Sequence, residues 1–564
     1  MRKKHWLWVA LISFFATLGF SLTEAEHIVA KRLQKLLLKQ DNEFYKYELG
    51  EFDFRFFSRE LILKQVKISP KIEYLDSLKR RGEAKSSVYA IELGEIIVQD
   101  LDPISVLFST HIDIAKIQFG SPTINLFKAD SSIAEEDQID SRIKDQKRFF
   151  SDIVDGKFRS IKIGEIAIEN ARSSYYKVYK NDTMLQMRSD TASFKIFGIE
   201  TDQALLKSKK VFNYDSSSFD LKGTYWEGHA DYRILLGEFK KTSNNDNLIL
   251  KNISIGPRED KFTFMIDQAE EIDWYKCSID EVEVRDFDFS AFQRDNSFKS
   301  KHIMINNAEL EIYRDKRLRD QNSIKPLVGS IIKDLKVNVS IDQLAITESA
   351  IDYYEWEEDA KAPIHAQLDS LRIEIENLNN EFKKEVFGDT LKLKLMANFM
   401  KKGKLNIHAK FYLADHNDRF SLLAQLEEIP LSALNPVLKE SAFIAFSDGK
   451  LDWLEMEMQA NDEVSESRMD LQYSGMKHFD ILRGMNEMKV KREKGNQVSR
   501  KRKFLSFILR GILPNDYGPE SNNYQTARYS VRRDRNKSIV NYLVENLKSG
   551  AKAHLEPDIL KKSD

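Results

Sequence analysis

Asp286 and Asp288, in the phrase Asp-Phe-Asp-Phe, are the nearest approach in this chain to a general acid–base pair, because alternate residues of a strand share one face. A solvated polar face is the plainer reading. Asp352, Glu355, Glu357 and Glu358 form an acidic run at a strand end, where charge discourages edge-to-edge pairing. The histidines are scattered; His408 and His416 come closest together, and alternation puts His408 on the polar side of its strand. No dinucleotide-binding or phosphate-cradling glycine loop, nucleophile elbow or His-Glu-x-x-His occurs. Cys277 stands alone, which excludes an intramolecular disulfide and a cysteine-rich metal site. Asn181, Asn252, Asn338 and Asn536 head glycosylation sequons at a density chance supplies. The expectation is a protein that is not an enzyme and holds no metal or cofactor.

The chemistry that remains is apolar. The phrase IKIGEIAIENARSSYY places Ile161, Ile163, Ile166 and Ile168 ahead of Tyr175 and Tyr176, and VSIDQLAITESAIDYY repeats it with Ile341, Leu344, Ile346, Tyr353 and Tyr354. HIDIAKIQFGSPTINLF repeats it again, and Cys277, Ile279, Val282 and Val284 make a looser copy. Steps of two line one face of a strand; the single step of three reads as a bulge that re-phases it. The clearest run is an antiparallel meander. Leu391, Leu393, Leu395, Ala397 and Phe399 alternate with polar residues, turn at Lys401-Lys402-Gly403, and continue through Leu405, Ile407, Ala409 and Phe411. The turn Asp415-His416-Asn417-Asp418 leads into a third strand from Phe420.

At 564 residues the chain exceeds one ordinary core, and with 11 prolines and 22 glycines it offers no linker that would mark a boundary, so one extended, serial β-body is expected over residues 41–428. Lys and Arg total 87 against 89 Asp and Glu, so no global field points to nucleic acid. Arg2, Lys3 and Lys4 precede an apolar run from Trp6 to Leu22, long enough for a single membrane-spanning anchor over residues 1–22. Thr23-Glu24-Ala25-Glu26 then opens an amphipathic helix over 23–40. YELGEFDFRFFSRELILKQVKISP reads as two strands turning near Ser58.

A meander this long exposes one apolar face that must be covered. It packs on a second sheet as a sandwich, or it curls into a groove filled by ligand. The stretch 429–484 carries a resemblance. IPLSALNPVLKESAFIAFSDGKLDWLEMEMQ, with Asn435-Pro436 before a strand and Gly449 at a turn, followed by MDLQYSGMKHFDIL, resembles the carboxy-terminal module of the AsmA-like envelope proteins. The anchor, short helix and first strand pair are similar to that family's start. The resemblance implies a mainly β fold: a long twisted antiparallel sheet rolled into an elongated hydrophobic groove, anchored in the inner membrane with its body in the periplasm. It implies phospholipid as the partner, other envelope proteins beside it, and a role in lipid movement and outer-membrane integrity.

On that reading Ile163, Ile166, Ile168, Ile341, Leu344, Ile346, Leu391, Leu393, Leu395, Phe399, Leu405, Ile407 and Phe411 face lipid tails. Residues 485–564 form a basic tail in which Arg500, Lys501, Arg502 and Lys503, beside an apolar run too short to span a bilayer, suit anionic headgroups. Ile539, Leu543 and Leu547 give it a short terminal helix ending at Gly550. The rival reading is a non-catalytic envelope scaffold, the same ladder closed as a sandwich that binds proteins.

Overall fold

The computed structural model describes residues 45–71, 88–102, 105, 109–129, 159–178, 182–202, 205, 212–242, 246–321, 323–358, 360–381, 390–481, 514–522 and 524–555. The expected anchor at 1–22, the helix at 23–40 and Arg500–Lys503 lie outside the described residues. The protein is mainly β and divides into two compact units, residues 1–245 and 246–564.

In the first unit the expected strand pair is present. β1 (Tyr45–Glu48) and β2 (Glu51–Arg55) both lie antiparallel to β3 (Glu60–Pro70), with the turn at Phe56–Arg59. β3 pairs β4 (Val88–Gln99), which pairs both β5 (His111–Gly120) and β6 (Thr123–Ala129). Those two lie parallel to β7 (Ser160–Val178), and β8 (Thr183–Asp202), β9 (Ser216–Trp226) and β10 (Tyr232–Lys241) follow antiparallel.

The second unit repeats the plan. β11 (Leu248–Pro257), β12 (Asp273–Arg285) and β13 (Phe298–Asp315) are antiparallel, β14 (Val339–Trp356) is parallel to β13, and β15 (Ile364–Asn379), β16 (Thr390–Phe399), β17 (Gly403–Tyr412) and β18 (Phe420–Pro430) return to antiparallel order. The expected meander is therefore present. β20 (Lys450–Ala460), β21 (Val464–Ser474) and β23 (Ala527–Arg532) extend it, while β19 (Ile444–Phe446) and β22 (Phe479–Ile481) form a separate pair. After the short connecting helices α1 (Lys261–Ile266), α2 (Phe289–Asp295) and α3 (Val328–Lys333), Pro436 opens α4 (Asn435–Ser441), and the Asn435 side chain clamps Phe446 through both its backbone groups, at 2.8 and 2.9 Å. Gly449, at φ 87°, makes the expected turn.

The sheet is mixed, not antiparallel throughout. Alternation records which face is apolar and is silent on strand direction, so the two parallel steps, β5/β6 to β7 and β13 to β14, escape it. Both steps involve the repeated phrases.

The step of three in those phrases is a kink. Gly164, between Ile163 and Ile166, faces Gly198 at φ 63°; Asp342, between Ile341 and Leu344, faces Asn377 at φ 61°; Asp280, between Ile279 and Val282, faces Asn252 at φ 53°. The left-handed residue thus sits on the neighbouring strand, and glycine or asparagine takes it because a side chain there is otherwise strained. Further kinks line up across strands. Gln65, Gly94, Ser121 and Asn170 are lateral neighbours in the first unit, and Asn252, Asp280, Asn307 and Glu348 in the second. Gln65, Ser121, Asn170, Asn252, Asn307 and Glu348 all have φ between 42° and 54°. A positive φ interrupts the extended strand at each of these positions, and aligned on neighbouring strands the interruptions make one crease across them.

Side chains replace the ladder bonds lost at the crease. Buried Ser349 accepts from the Ala308 amide at 2.9 Å and donates to the Thr347 carbonyl at 2.8 Å, and Asn307 donates to Asp280 at 2.5 Å. Ser349→Ala leaves the Ala308 N–H without its partner and should lower unfolding stability by about 1–3 kcal/mol in urea titration. An unchanged midpoint would show that the crease does not need this bond.

Candidate functional site

The kinked strands bring the repeated apolar residues into continuous lateral rows. In the second unit one row takes a residue from each ladder strand: Leu250, Val282, Ile305, Ile346, Ile373, Leu395, Ile407, Ala424, Met456, Met469 and Ala527, each the register partner of the next. A second runs Leu248, Val284, Ile303, Leu344, Ile375, Leu393, Ala409, Leu422 and Met458. In the first unit the row is Phe52, Leu63, Ile96, Phe119, Ile168, Phe194 and Phe219. No polar residue interrupts these rows. The opposite face carries exposed cross-strand pairs such as Lys64 with Glu51, Lys162 with Glu200 and Lys392 with Glu376.

Burial along the longest row is graded. From Leu250 to Ala424 every residue is half-buried; Met456, Met469 and Ala527 are buried. The change coincides with α5 (Ile539–Leu555), which lies on β21 and β23. Ile539, Tyr542, Leu543 and Leu547 pack into one cluster with Met456, Met458, Phe411 and Phe420. Leu327 and Ile332 join it from the β13–β14 crossover, whose short helix α3 (Val328–Lys333) packs beside β17.

The sequence-selected residues therefore divide. Leu391 and Phe411 are buried beneath protein, and Leu393 and Ile407 pack at the margin of that cluster. Leu344, Ile346, Leu395 and Leu405 are half-buried, and Leu395 and Ile407 are register partners. Phe399 borders a separate cluster around Ile429, Leu451 and Tyr473. Ile341 is buried, at 5% exposure. Ile163 belongs to the first unit's core, with Ile166 packed against it; Ile168 is half-buried.

Leu327, Ile332 and Tyr542 were not legible as cover for this face. The crossover has no long apolar repeat, and its α3 is a six-residue helix. Gly550 does not end α5, which continues to Leu555. A Cβ at Gly550 would stand 2.6 Å from the Tyr529 hydroxyl, so glycine here permits close packing on the sheet.

A buried polar seam holds α5 down. Ser465 and Ser467 donate to Asn546 Oδ1 at 2.9 and 2.8 Å, and Asn546 Nδ2 returns to the Tyr542 carbonyl at 2.9 Å. His554 Nε2 accepts the Leu471 amide at 2.8 Å, which leaves Nδ1–H to face the Tyr517 hydroxyl at 2.9 Å. Burial holds the His554 imidazole below its ordinary pKa, and burial pushes Tyr529, which lies against Gly550, up to about 12.

The polar candidates do not assemble. Asp286 ends its strand at φ 52°, while Asp288 caps α2 (Phe289–Asp295) by accepting the Ala291 amide at 2.9 Å. Asp352 meets His365 at 2.7 Å, and Glu355 takes Lys316 at 2.6 Å and Tyr353 at 2.5 Å. His408 is exposed on the polar face. Among the described residues no group of His, Cys, Asp and Glu is placed to hold a metal, and no helix is long and apolar enough to cross a membrane.

No family model matches the chain, and no curated protein matches it. Among solved structures, the crystal structure of the sex pheromone staph-cAM373 precursor is similar at 11% identity over 64% of this chain and 90% of that chain, with a TM-score of 0.12. A superposition that poor carries no argument.

The His554 seam should make α5 sensitive to acid. Above the ordinary histidine value of 6.5 both folded and unfolded chains are neutral there, and the seam contributes fully. As pH falls below it the unfolded chain takes up the proton first, so stability declines towards the lower folded value. Urea midpoints should fall from pH 7.5 to pH 5, and His554→Asn should flatten that dependence; a profile unchanged by the substitution would remove His554 as the sensor.

Proposed function

We propose that this chain is an AsmA-like envelope protein whose creased β-sheet forms an elongated hydrophobic groove that holds and conducts phospholipid. The supporting observation is the unbroken row from Leu250 to Ala424, half-buried along its length, where an ordinary sandwich would bury it against a second sheet. On this reading the anchor at 1–22 fixes the chain in the inner membrane, the body stands in the periplasm, and Arg500–Lys503 meet headgroups.

The energetics demand continuity. Two acyl chains of about 16 carbons would lose on the order of 25 kcal/mol in water at about 0.8 kcal/mol per methylene. Tails must therefore move along uninterrupted apolar surface while headgroups stay wet. A one-sided sheet with paired charges on its other face meets both needs. Conduction along it supports outer-membrane lipid homeostasis without any catalytic group.

A second reading, the non-catalytic scaffold, draws on Leu391 and Phe411, which lie under α3 and α5. It would extend that closure to the whole face and leave the chain to bind other envelope proteins.

Leu395→Asp with Ile407→Asp places two carboxylates opposite each other in the row. The variant should keep its β circular-dichroism signal and lose roughly tenfold or more in affinity for a fluorescent phospholipid, the factor that about 1.4 kcal/mol gives. A folded variant that binds the probe like the parent would overturn the groove.

A further inference from the structure

The turn between β2 and β3, Arg55-Phe56-Phe57-Ser58-Arg59, presents the most exposed large apolar side chain among the described residues, Phe57 at 80%. Its exposure is built in. Half-buried Phe56 packs against the first unit's core and meets Phe57 edge to face at 6.1 Å between ring centres, so the inner ring props the exposed one outward. The Leu101 amide donates to the Arg59 carbonyl at 2.9 Å, tying the turn to the end of β4, and Arg59 takes a left-handed φ of 54°. An apex carrying one exposed aromatic ring between two arginines is the result.

We propose that this turn is a bilayer-docking wedge, with Phe57 seated at the acyl–headgroup boundary and Arg55 and Arg59 on lipid phosphates. A single ring offers far too little area for a stable protein interface, which needs roughly 1,000 Å² or more, but it is enough to enter the membrane interface. The arginines are available: Arg55 reaches Asp53 at 3.1 Å and half-buried Glu60 at 3.5 Å, and Arg59 reaches Asp100 at 3.3 Å, and both arginine side chains are exposed, where such pairs are weak. Guanidinium forks match phosphate geometry. The turn also lies on the first strands after the apolar run Trp6–Leu22. This surface does not depend on whether the apolar rows carry lipid.

Cys277 is the chain's single cysteine, so Cys277→Ser with Ser58→Cys allows one environment-sensitive fluorophore at the apex of the full-length protein. The protein is reconstituted in vesicles of phosphatidylethanolamine and phosphatidylglycerol containing doxyl-labelled lipid. The expected result is a blue-shifted, doxyl-quenched emission at position 58, absent from the same label at exposed Lys402→Cys and lost on Phe57→Ser while the protein stays on the vesicles. Water-like, unquenched emission at position 58 would overturn the proposal. So would quenching that survives Phe57→Ser, or shielding that rises with protein concentration in the absence of lipid, which would assign the apex to a second copy.

Discussion

A long sheet with one apolar face has to keep that face from water, and the rest of the structure follows from how it does so. Each strand contributes side chains to common rows, so the face grows with every strand added and no single element can bury it. The second unit meets the constraint in two ways. Over β20, β21 and β23 the chain supplies its own cover, with α5 on top and α3 from the crossover beside it. Over β11 to β18 the row is half-buried.

The crease connects sequence to shape. An apolar step of three, as from Ile163 to Ile166 or from Ile341 to Leu344, keeps side chains on one face because the backbone kinks there, and the opposed Gly198 and Asn377 take positive φ while the register stays unshifted. Repeating the device at neighbouring positions lines the kinks up across the strands. Buried Ser349, which bonds both Ala308 and Thr347, shows that the crease is stabilised by side chains and is not a frayed ladder.

Much of this was legible in the sequence because period-two patterning is a direct record of one-sided burial. The meander from Leu391 to Leu426, its turns, the β2–β3 hairpin and the kinks at the apolar steps of three were readable from residue spacing. Strand direction was not, because a parallel and an antiparallel neighbour ask for the same alternation; β5, β7, β13 and β14 show it. The cover was legible only in part, since the stripe Ile539, Leu543 and Leu547 marked a terminal amphipathic helix but not the strands it lies on. Leu327, Ile332 and Tyr542 come from short or distant segments, so their role exists only in three dimensions. Gly550 misled because a glycine near the end of a helix usually terminates it, whereas here it admits the sheet. Of the tail-facing candidates, spacing placed all on one face but could not separate covered Leu391 and Phe411 from half-buried Leu395 and Leu405.

The most direct test of the open apolar face is native mass spectrometry, with lipid extraction, on the full chain purified from the envelope of a double-membraned bacterium. Several phospholipids per chain, retained after washing that strips loosely held detergent and lipid, are the predicted result. A stable chain free of lipid would contradict the groove and show that protein closes the face along its whole length.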